Sequence, residues 1–600
     1  MTYTHAPLRR LNRLAIATAL ILSTSISVAN AQDAGDPLAV YQWHLKNTGQ
    51  RAIADTPLVS GNDLNVDGLY RNNIRGEGVT IGIIDNGLQI AHPDLRAHVG
   101  RIAGRNFNPN ARNRNDPTPL NPTLNAHGTM VGGIAAAVGG NGIGVRGVAP
   151  SATLKGFNWL ESKPTKSGSI TLYASEENLS YAWWDGQESA DIDVFNNSWG
   201  LSSVSPNLPV GSSTNDQLSY ERAMSSTRSG RGGIYVKAAG NNFTNAATRK
   251  TAFGVLDSCS YQTKQLNVGC LPAGHDPRNN YFNTITVGAV AADGRRSSYS
   301  STGSALWVSG FGGEGGIQKK YEPGLAPNSY DPAIITTDIA GCEDGTNINK
   351  NREDDLDSNL SLIDRSCDYT AKMNGTSAAA PMVSGVAALI LEANPQLSFR
   401  DVKYVLAVTA RKTDPQQVST RLSDGRELVP GWITNAAGHA FSNWYGFGVV
   451  DAARAVHLAS TFQPLGALVD TGWHTVRRQV SISSVPRTTR LKIEMPDGAR
   501  KIEAVQLGFS LDHVNSRLVE FVLISPSGTR SVVQPAYTAI GSGFWNKQAS
   551  FSAWQLLSSN AFLDENGKGT WTLEATDMGR PAGAASRGKL ESFTLRILGH

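Results

Sequence analysis

A hydroxyl acts as a nucleophile readily only when a neighbouring base takes its proton and an acid fixes the tautomer of that base. Three stretches of this 600-residue chain supply those residue types. Val79-Thr80-Ile81-Gly82-Ile83-Ile84-Asp85-Asn86-Gly87 is an apolar run ending in a carboxylate, the pattern of a buried parallel strand. Asn125-Ala126-His127-Gly128-Thr129-Met130 opens a helix of small residues, whose lack of bulk lets another element pack close. Asn374-Gly375-Thr376-Ser377-Ala378-Ala379-Ala380-Pro381 is a small-residue turn that runs into an apolar helical pattern, with Pro381 about one turn in, where few backbone donors have partners. Ser377 then stands beside unpaired N–H groups at a helix start, where developing negative charge is stabilised. Singly, each has a bland reading: Asp85 starts a turn, and Ser377 caps a helix. Together they are an acid, a base and a nucleophile.

The elements that must position them alternate. Val79–Ile84, His127–Val138 and Ala152–Trp159 read as strand, helix and strand, the βαβ pattern of a parallel sheet. Asp191–Gly200 and Gly233–Asn242 each read as a further strand and turn. The chain order Asp85, His127, Ser377, with the segments D-N-G, H-G-T and N-G-T-S-A-A-A-P, closely resembles the signature segments of subtilisin-like serine proteases. The resemblance implies an α/β parallel-sheet catalytic domain and an endopeptidase acting on protein or peptide substrates. It implies that Ser377 attacks, His127 carries the proton and Asp85 orients the imidazole. Asn241, in Gly240-Asn241, matches the residue that donates its amide to the oxyanion. Ser198-Trp199-Gly200 matches one wall of the primary specificity pocket.

Asp36-Pro37 and Gln42-Trp43 resemble the start of the mature catalytic domain in the kexin/furin branch. Before them, Arg9, Arg10 and Arg13 precede the apolar stretch Leu14–Val28, and Ala29-Asn30-Ala31 is a small-residue cleavage site. Residues 1–31 therefore read as a secretory signal peptide, and the protein as secreted through the periplasm. Only Gln32 to Gly35 lie between that site and Asp36. Most subtilisin relatives carry a folding propeptide there, so folding is expected to be autonomous or assisted by a separate periplasmic chaperone. The glycine-rich loop Val138–Val145 could cradle phosphate, but no G-K-[ST] follows. It better resembles the family's strong calcium site, matched by Asp36, Asp94, Val138, Asn141, Ile143 and Val145. Hard oxygen ligands suit Ca²⁺. Ser203 and Ser301 stand where a second calcium site has acids, so that site is not expected.

Cys259, Cys270, Cys342 and Cys367 fit an oxidising compartment and allow three connectivities. The two local pairs are favoured, because each staples one polar loop. The acidic insert Glu343–Asp357 reads as a solvated loop, with a weak calcium site or an acidic rim for basic substrates as alternatives. Net charge is +4 and falls to +1 once the three signal-peptide arginines are removed, which is no nucleic-acid footprint. No apolar run after the signal peptide reads as a membrane span.

Near Phe462–Val469 the helical pattern gives way to short alternating strands. Arg490–Glu494, Ile502–Leu507, Leu518–Ile524 and Gly569–Glu574, with turns such as Ser525-Pro526-Ser527-Gly528, suggest a β-sandwich. L-I-S-P-S-G-T-R, G-T-W-T-L and the final G-K-L-E-S-F-T-L-R-I-L-G resemble the P domain that follows the catalytic domain in kexin and furin. The expected division is signal peptide 1–31, catalytic domain 32–462 and P domain 463–600. A different class of function, a protease-shaped adhesion or binding protein acting through the sandwich, would be favoured by loss of a triad residue, and all three are present.

Specificity follows from acids in pockets. Asp276, in His275-Asp276-Pro277, matches the loop that gives kexin and furin one acid of the first pocket. The other first-pocket acid aligns with Ser203, and the neighbouring pocket's acids align with Asn86 and Leu124. The resemblance therefore implies cleavage after Arg or Lys with a moderate dibasic preference. The alternative is that Asp276 is a turn residue and specificity is broad and apolar.

Overall fold

The apolar run ending at Asp85 forms strand β1 (Thr80–Asp85), every residue after Thr80 being buried. It belongs to a seven-stranded sheet with β2 (Val99–Asn106), β3 (Thr153–Asn158), β4 (Val194–Asn197), β5 (Ile234–Ala238), β6 (Thr284–Val290) and β7 (Val308–Phe311). The strand order is β7-β6-β5-β4-β1-β3-β2 and every pairing is parallel. The structure is a computed structural model. It describes residues 35–600 except 167, 201–213, 245–247, 252–253, 258–260, 347–355, 357, 486, 497–498, 539–556 and 580–586. The expected signal peptide, Cys259, Ser203 and most of the acidic insert lie outside the described residues.

β1 lies between β3 and β4, so the chain leaves it in opposite directions across the sheet. A crevice outside the carboxyl ends of the strands is expected at such a switch point, and Asp85 stands at its mouth. Five helices matter to the site: α1 (His127–Ala136), α2 (Thr214–Ser226), α3 (Thr376–Ala393), α4 (Phe399–Thr409) and α5 (Ala452–Ala459). α3 packs on α1, on α5 and on strands β5, β6 and β7. It is apolar and, at 18 residues, long enough to cross a membrane, yet it is the buried core helix of this domain. A helix surrounded on all sides by protein is apolar all round, which is why composition alone does not separate the two cases.

The C-terminal region builds two sheets. The first contains β8 (His474–Ser481), β15 (Gly588–Gly599), β10 (Ile502–His513) and β13 (Leu557–Ser559), antiparallel throughout. In the second, β9 (Thr489–Met495), β14 (Gly569–Asp577), β11 (Val519–Ile524) and β12 (Arg530–Gln534) pair antiparallel in that order. Leu491 and Ile493, Leu507 and Phe509, Phe521, Trp571, Phe593 and Leu595 share one core between the sheets. β9 alternates buried and exposed residue by residue, as its sequence requires.

β10 does not alternate: its first eight residues are all buried. Its outer face lies on α2 and α4 of the parallel-sheet region. Glu503 takes a two-pronged ion pair from Arg400 of α4, at 2.8 and 2.5 Å. Gln506 donates to Glu221 of α2 and to the Asn280 carbonyl, and Arg596 of β15 pairs with Glu221 at 2.7 Å. The strand's polar residues are therefore not a solvent face.

Candidate active site

The backbone brings acid and base together by close approach. A side chain at Gly128 would place its first carbon 1.9 Å from the Gly87 carbonyl oxygen, so only glycine lets α1 start against the turn after β1. His127, the first residue of α1, then donates through Nδ1 at 2.8 Å to Asp85 Oδ1, which also accepts from the Asn86 N–H at 2.8 Å. Asp85 is buried, and its Oδ2 makes no hydrogen bond among the described residues. Burial pushes the His127 imidazole down, but the Asp85 carboxylate outweighs this and holds it above its ordinary value.

Ser377 is the second residue of α3. Gly375 is the N-cap, without any side-chain cap, so the bland reading of Ser377 as a capping residue does not hold. Gly375 has φ of 101°, a left-handed conformation that favours glycine, and an added carbon would press on Asn241 Nδ2 at 3.0 Å. Ser377 Oγ donates to the Ser198 carbonyl at 3.0 Å while Ser198 Oγ donates to the Ser377 carbonyl at 2.9 Å. This reciprocal pair ties the nucleophile segment to the end of β4, beside β1, where Trp199 Nε1 donates to the Ile84 carbonyl at 3.0 Å. Among the described residues no hydrogen bond joins Ser377 Oγ to His127, and catalytic hydrogen bonds commonly tighten only when substrate is bound.

Asn241 follows β5. Its Oδ1 accepts from both the backbone N–H and the hydroxyl of Thr376, each at 2.9 Å. The carbonyl end of the amide is thus fixed, and Nδ2 is the end left to donate toward the Ser377 side. Among the described residues the Ser377 N–H gives no backbone hydrogen bond, so two donors flank this position.

A cavity of about 200 Å³ opens from Ser377, Thr376 and Asn241, with Trp199, Gly200 and Ala238 on one side and Leu271, Ala273, His275 and Asp276 on the other. Asp276 lines this cavity beside Ser377. Its carboxylate is paired with a lysine. Lys237 of β5 reaches Asp276 Oδ2 at 2.8 Å and donates to the Trp199 carbonyl at 2.8 Å. Asp276 Oδ1 also caps a short turn by accepting from the Arg278 N–H at 3.0 Å. Burial pushes the Asp276 carboxyl up, yet the charges of Lys237 and Arg278 win and hold it below the usual range. Burial lowers Lys237, and Asp276 offsets part of that. Sequence reasoning missed Lys237; its signal was a lone lysine inside the buried pattern Ile234-Tyr235-Val236-Lys237-Ala238.

The loop expected to hold calcium is drawn around two buried acids. Asp94 Oδ1 accepts from Asn141 Nδ2 at 2.7 Å and Oδ2 from the Val145 N–H at 2.9 Å. Burial, with Asp36 nearby, pushes the Asp94 carboxyl up to about 7. Asp36 accepts from the Gly140 and Asn141 N–H groups and from Arg146 Nε at 2.8 Å. The carbonyls of Val138, Ile143 and Val145 accept no hydrogen bond among the described residues, whereas that of Gly144 accepts from the Leu38 N–H. No cluster of three acidic, His or Cys side chains suited to a metal occurs among the described residues. Cys342 and Cys367 form a disulfide, and Cys270 is disulfide-bonded.

A parallel sheet with an acid, a base and a hydroxyl at its carboxyl edge, followed by an antiparallel sandwich, defines a class of serine protease. The chain belongs to the subtilase family, whose model matches residues 76–448, and residues 502–597 match the proprotein convertase P-domain. It is 36% identical to the Aeromonas extracellular serine protease of Aeromonas sobria, over 94% of this chain and 91% of that one. It is 27% identical to neuroendocrine convertase 2 of Rattus norvegicus, over 94% of this chain and 74% of the relative. The crystal structure of the A. sobria serine protease in complex with the chaperone ORF2 superposes with a TM-score of 0.79 at 34% identity, covering 94% of this chain and 95% of that one.

Proposed function

We propose that this subtilase hydrolyses peptide bonds through Ser377, His127 and Asp85. Ser377 Oγ attacks the carbonyl carbon as its proton passes to His127 Nε2. The imidazolium then gives that proton to the leaving amine, and water repeats the sequence on the acyl-enzyme. Asp85 holds Nδ1 and stabilises the charged ring. Asn241 Nδ2 and the Ser377 N–H hold the oxyanion. The observation that carries this reading is the 2.8 Å contact between His127 and the buried Asp85, at the strand edge to which Ser198 ties Ser377. Incubation with a serine-directed sulfonyl fluoride tests it: a single adduct on Ser377 and loss of protein hydrolysis are expected, and an unmodified Ser377 would refute the role.

Calcium is part of the proposal. Asp94, the Asn141 side chain and the three free carbonyls of Val138, Ile143 and Val145 form an oxygen donor set that suits the ion. Asn141 would present its Oδ1 rather than Nδ2. Asp36 completes the set by resemblance, its carboxylate being shared here with Arg146. Bound calcium would supply positive charge beside Asp94 and stabilise the fold.

The catalytic domain is proposed to end near residue 462 and the P domain to begin at 463. Export through the periplasm and folding with a separate chaperone are proposed from the signal-like residues 1–31, the extracellular A. sobria relative and that relative's complex with ORF2. The preference for Arg or Lys read from the sequence needs a free Asp276 carboxylate, and Lys237 takes up that charge.

A further inference from the structure

We propose that Lys237 sets the specificity of this protease by neutralising Asp276, so that the pocket accepts an uncharged side chain before the scissile bond. The inference rests on the proposed role of Ser377, since the pocket is assigned by its position beside that hydroxyl.

Lys237 and Asp276 are both almost closed to solvent, their side chains being 2% and 7% exposed. A carbon built on Gly200, which lines the pocket, would lie 3.8 Å from both Lys237 Nζ and Asp276 Oδ2. The ion pair thus lies directly beneath the pocket wall. Asp276 is the only acid among the described residues that line the cavity. The segment that follows Gly200, residues 201–213, contains no Asp or Glu. An incoming Arg or Lys therefore meets one carboxylate that already has a cation.

Displacing that cation is not open to it. Lys237 is anchored by the Trp199 carbonyl, and its Nζ lies over the Trp199 ring, 4.8 Å from the centroid. Arg278 pairs with Glu176 and stands 5.8 Å from the same ring. An ammonium this deeply buried has no water to retreat to, so separating it from Asp276 would leave an uncompensated charge. Burial pushes His275 down, so it is neutral and adds no charge. Of the other lining residues, Ala238, Ala239, Leu271, Pro272 and Ala273 are apolar, and Asn242 and Ser301 are polar but uncharged.

The test uses full-length enzyme, with active sites counted by sulfonyl fluoride labelling of Ser377, and peptides that differ only at the residue before the bond. Wild type should cleave after Leu or Met with higher kcat/KM than after Arg or Lys. Lys237→Met should raise the Arg-to-Leu ratio about 10- to 100-fold, the scale of one hydrogen bond to a charged group. Asp276→Asn should raise the Glu-to-Leu ratio in the same way, by leaving Lys237 unpaired. The Lys237→Met, Asp276→Asn double variant should return to uncharged residues, and it covers the case in which a single variant does not fold. A wild-type preference for Arg, or ratios unmoved by these substitutions, would overturn the inference while Ser377 still labels. Absence of labelling would instead defeat the catalytic reading beneath it.

Discussion

Beside the Ser377 crevice, the buried acids Asp85 and Asp276 each hold a basic side chain at 2.8 Å, and they are placed to do opposite things. Asp85 is 2% exposed and its partner His127 36% exposed. Asp276 is 7% exposed and its partner Lys237 only 2%. At the first site the base opens onto the crevice, so a proton can be taken and returned. At the second the base is sealed under Gly200 and Trp199, and the pair is a fixed, neutral piece of wall. The distance between partners is the same; solvent access decides whether an ion pair is machinery or masonry.

The largest effect should come from the first site. Ser377→Ala removes one hydroxyl from an otherwise intact helix start, and turnover should fall on the order of 10⁶ with an unchanged far-UV circular dichroism spectrum. Activity near that of wild type would break the comparison at its root. Asn241→Ala leaves the ion pair of Asp85 untouched but takes away an oxyanion donor, and kcat should fall about 10²- to 10³-fold with little change in KM. An effect confined to KM would make Asn241 a binding residue.

Removal of residues 463–600 separates the two sites in another way. Ser558 donates to Asn280 at 3.0 Å, and Asn280 in turn donates to the carbonyls of Gly274 and Asp276, so the P domain braces the pocket loop but not His127. The truncated protein should lose yield and Tm, since the covered polar faces around Glu221 and Arg400 would be left unpaired. Unchanged yield and Tm would make the sandwich an independent module. The smallest effect is expected at the calcium loop. Calcium at about a hundred times its Kd stabilises a fold by about 2.7 kcal/mol, so chelation should lower Tm by several degrees and Asp94→Ala should abolish that response. A chelator that moves neither Tm nor protease resistance would remove calcium from the account.

What could be read from the sequence divides along the same line. Asp85, His127 and Ser377 sit in motifs whose neighbours fix their geometry locally: Gly128 permits the close helix start, and Gly375 the left-handed turn. The parallel sheet was legible for the same reason, since buried strands are continuous apolar runs. Lys237 was not, because its partner is far along the chain and the side of β5 on which it lies depends on sheet register. Ile502–Leu507 alternates in sequence as a half-exposed strand does, but its Glu503 and Gln506 meet Arg400 and Glu221 of the parallel-sheet region. Polar residues satisfied across an interface look, in sequence, like polar residues facing water. The α3 helix shows the converse, an apolar run that is core.

The central claim is that Asp85 tunes an imidazole which activates Ser377. The rate of Ser377 modification by a small sulfonyl fluoride, followed against pH in wild type and Asp85→Asn, tests it most directly. In wild type the rate should fall as pH drops through a pKa above the ordinary imidazole value of 6.5, because the carboxylate favours the protonated ring that cannot act as base. In Asp85→Asn only burial remains, so that limb should move below the wild-type one and the plateau should fall about 10⁴-fold. An acid limb that stays in place, or a plateau that does not fall, would contradict the account.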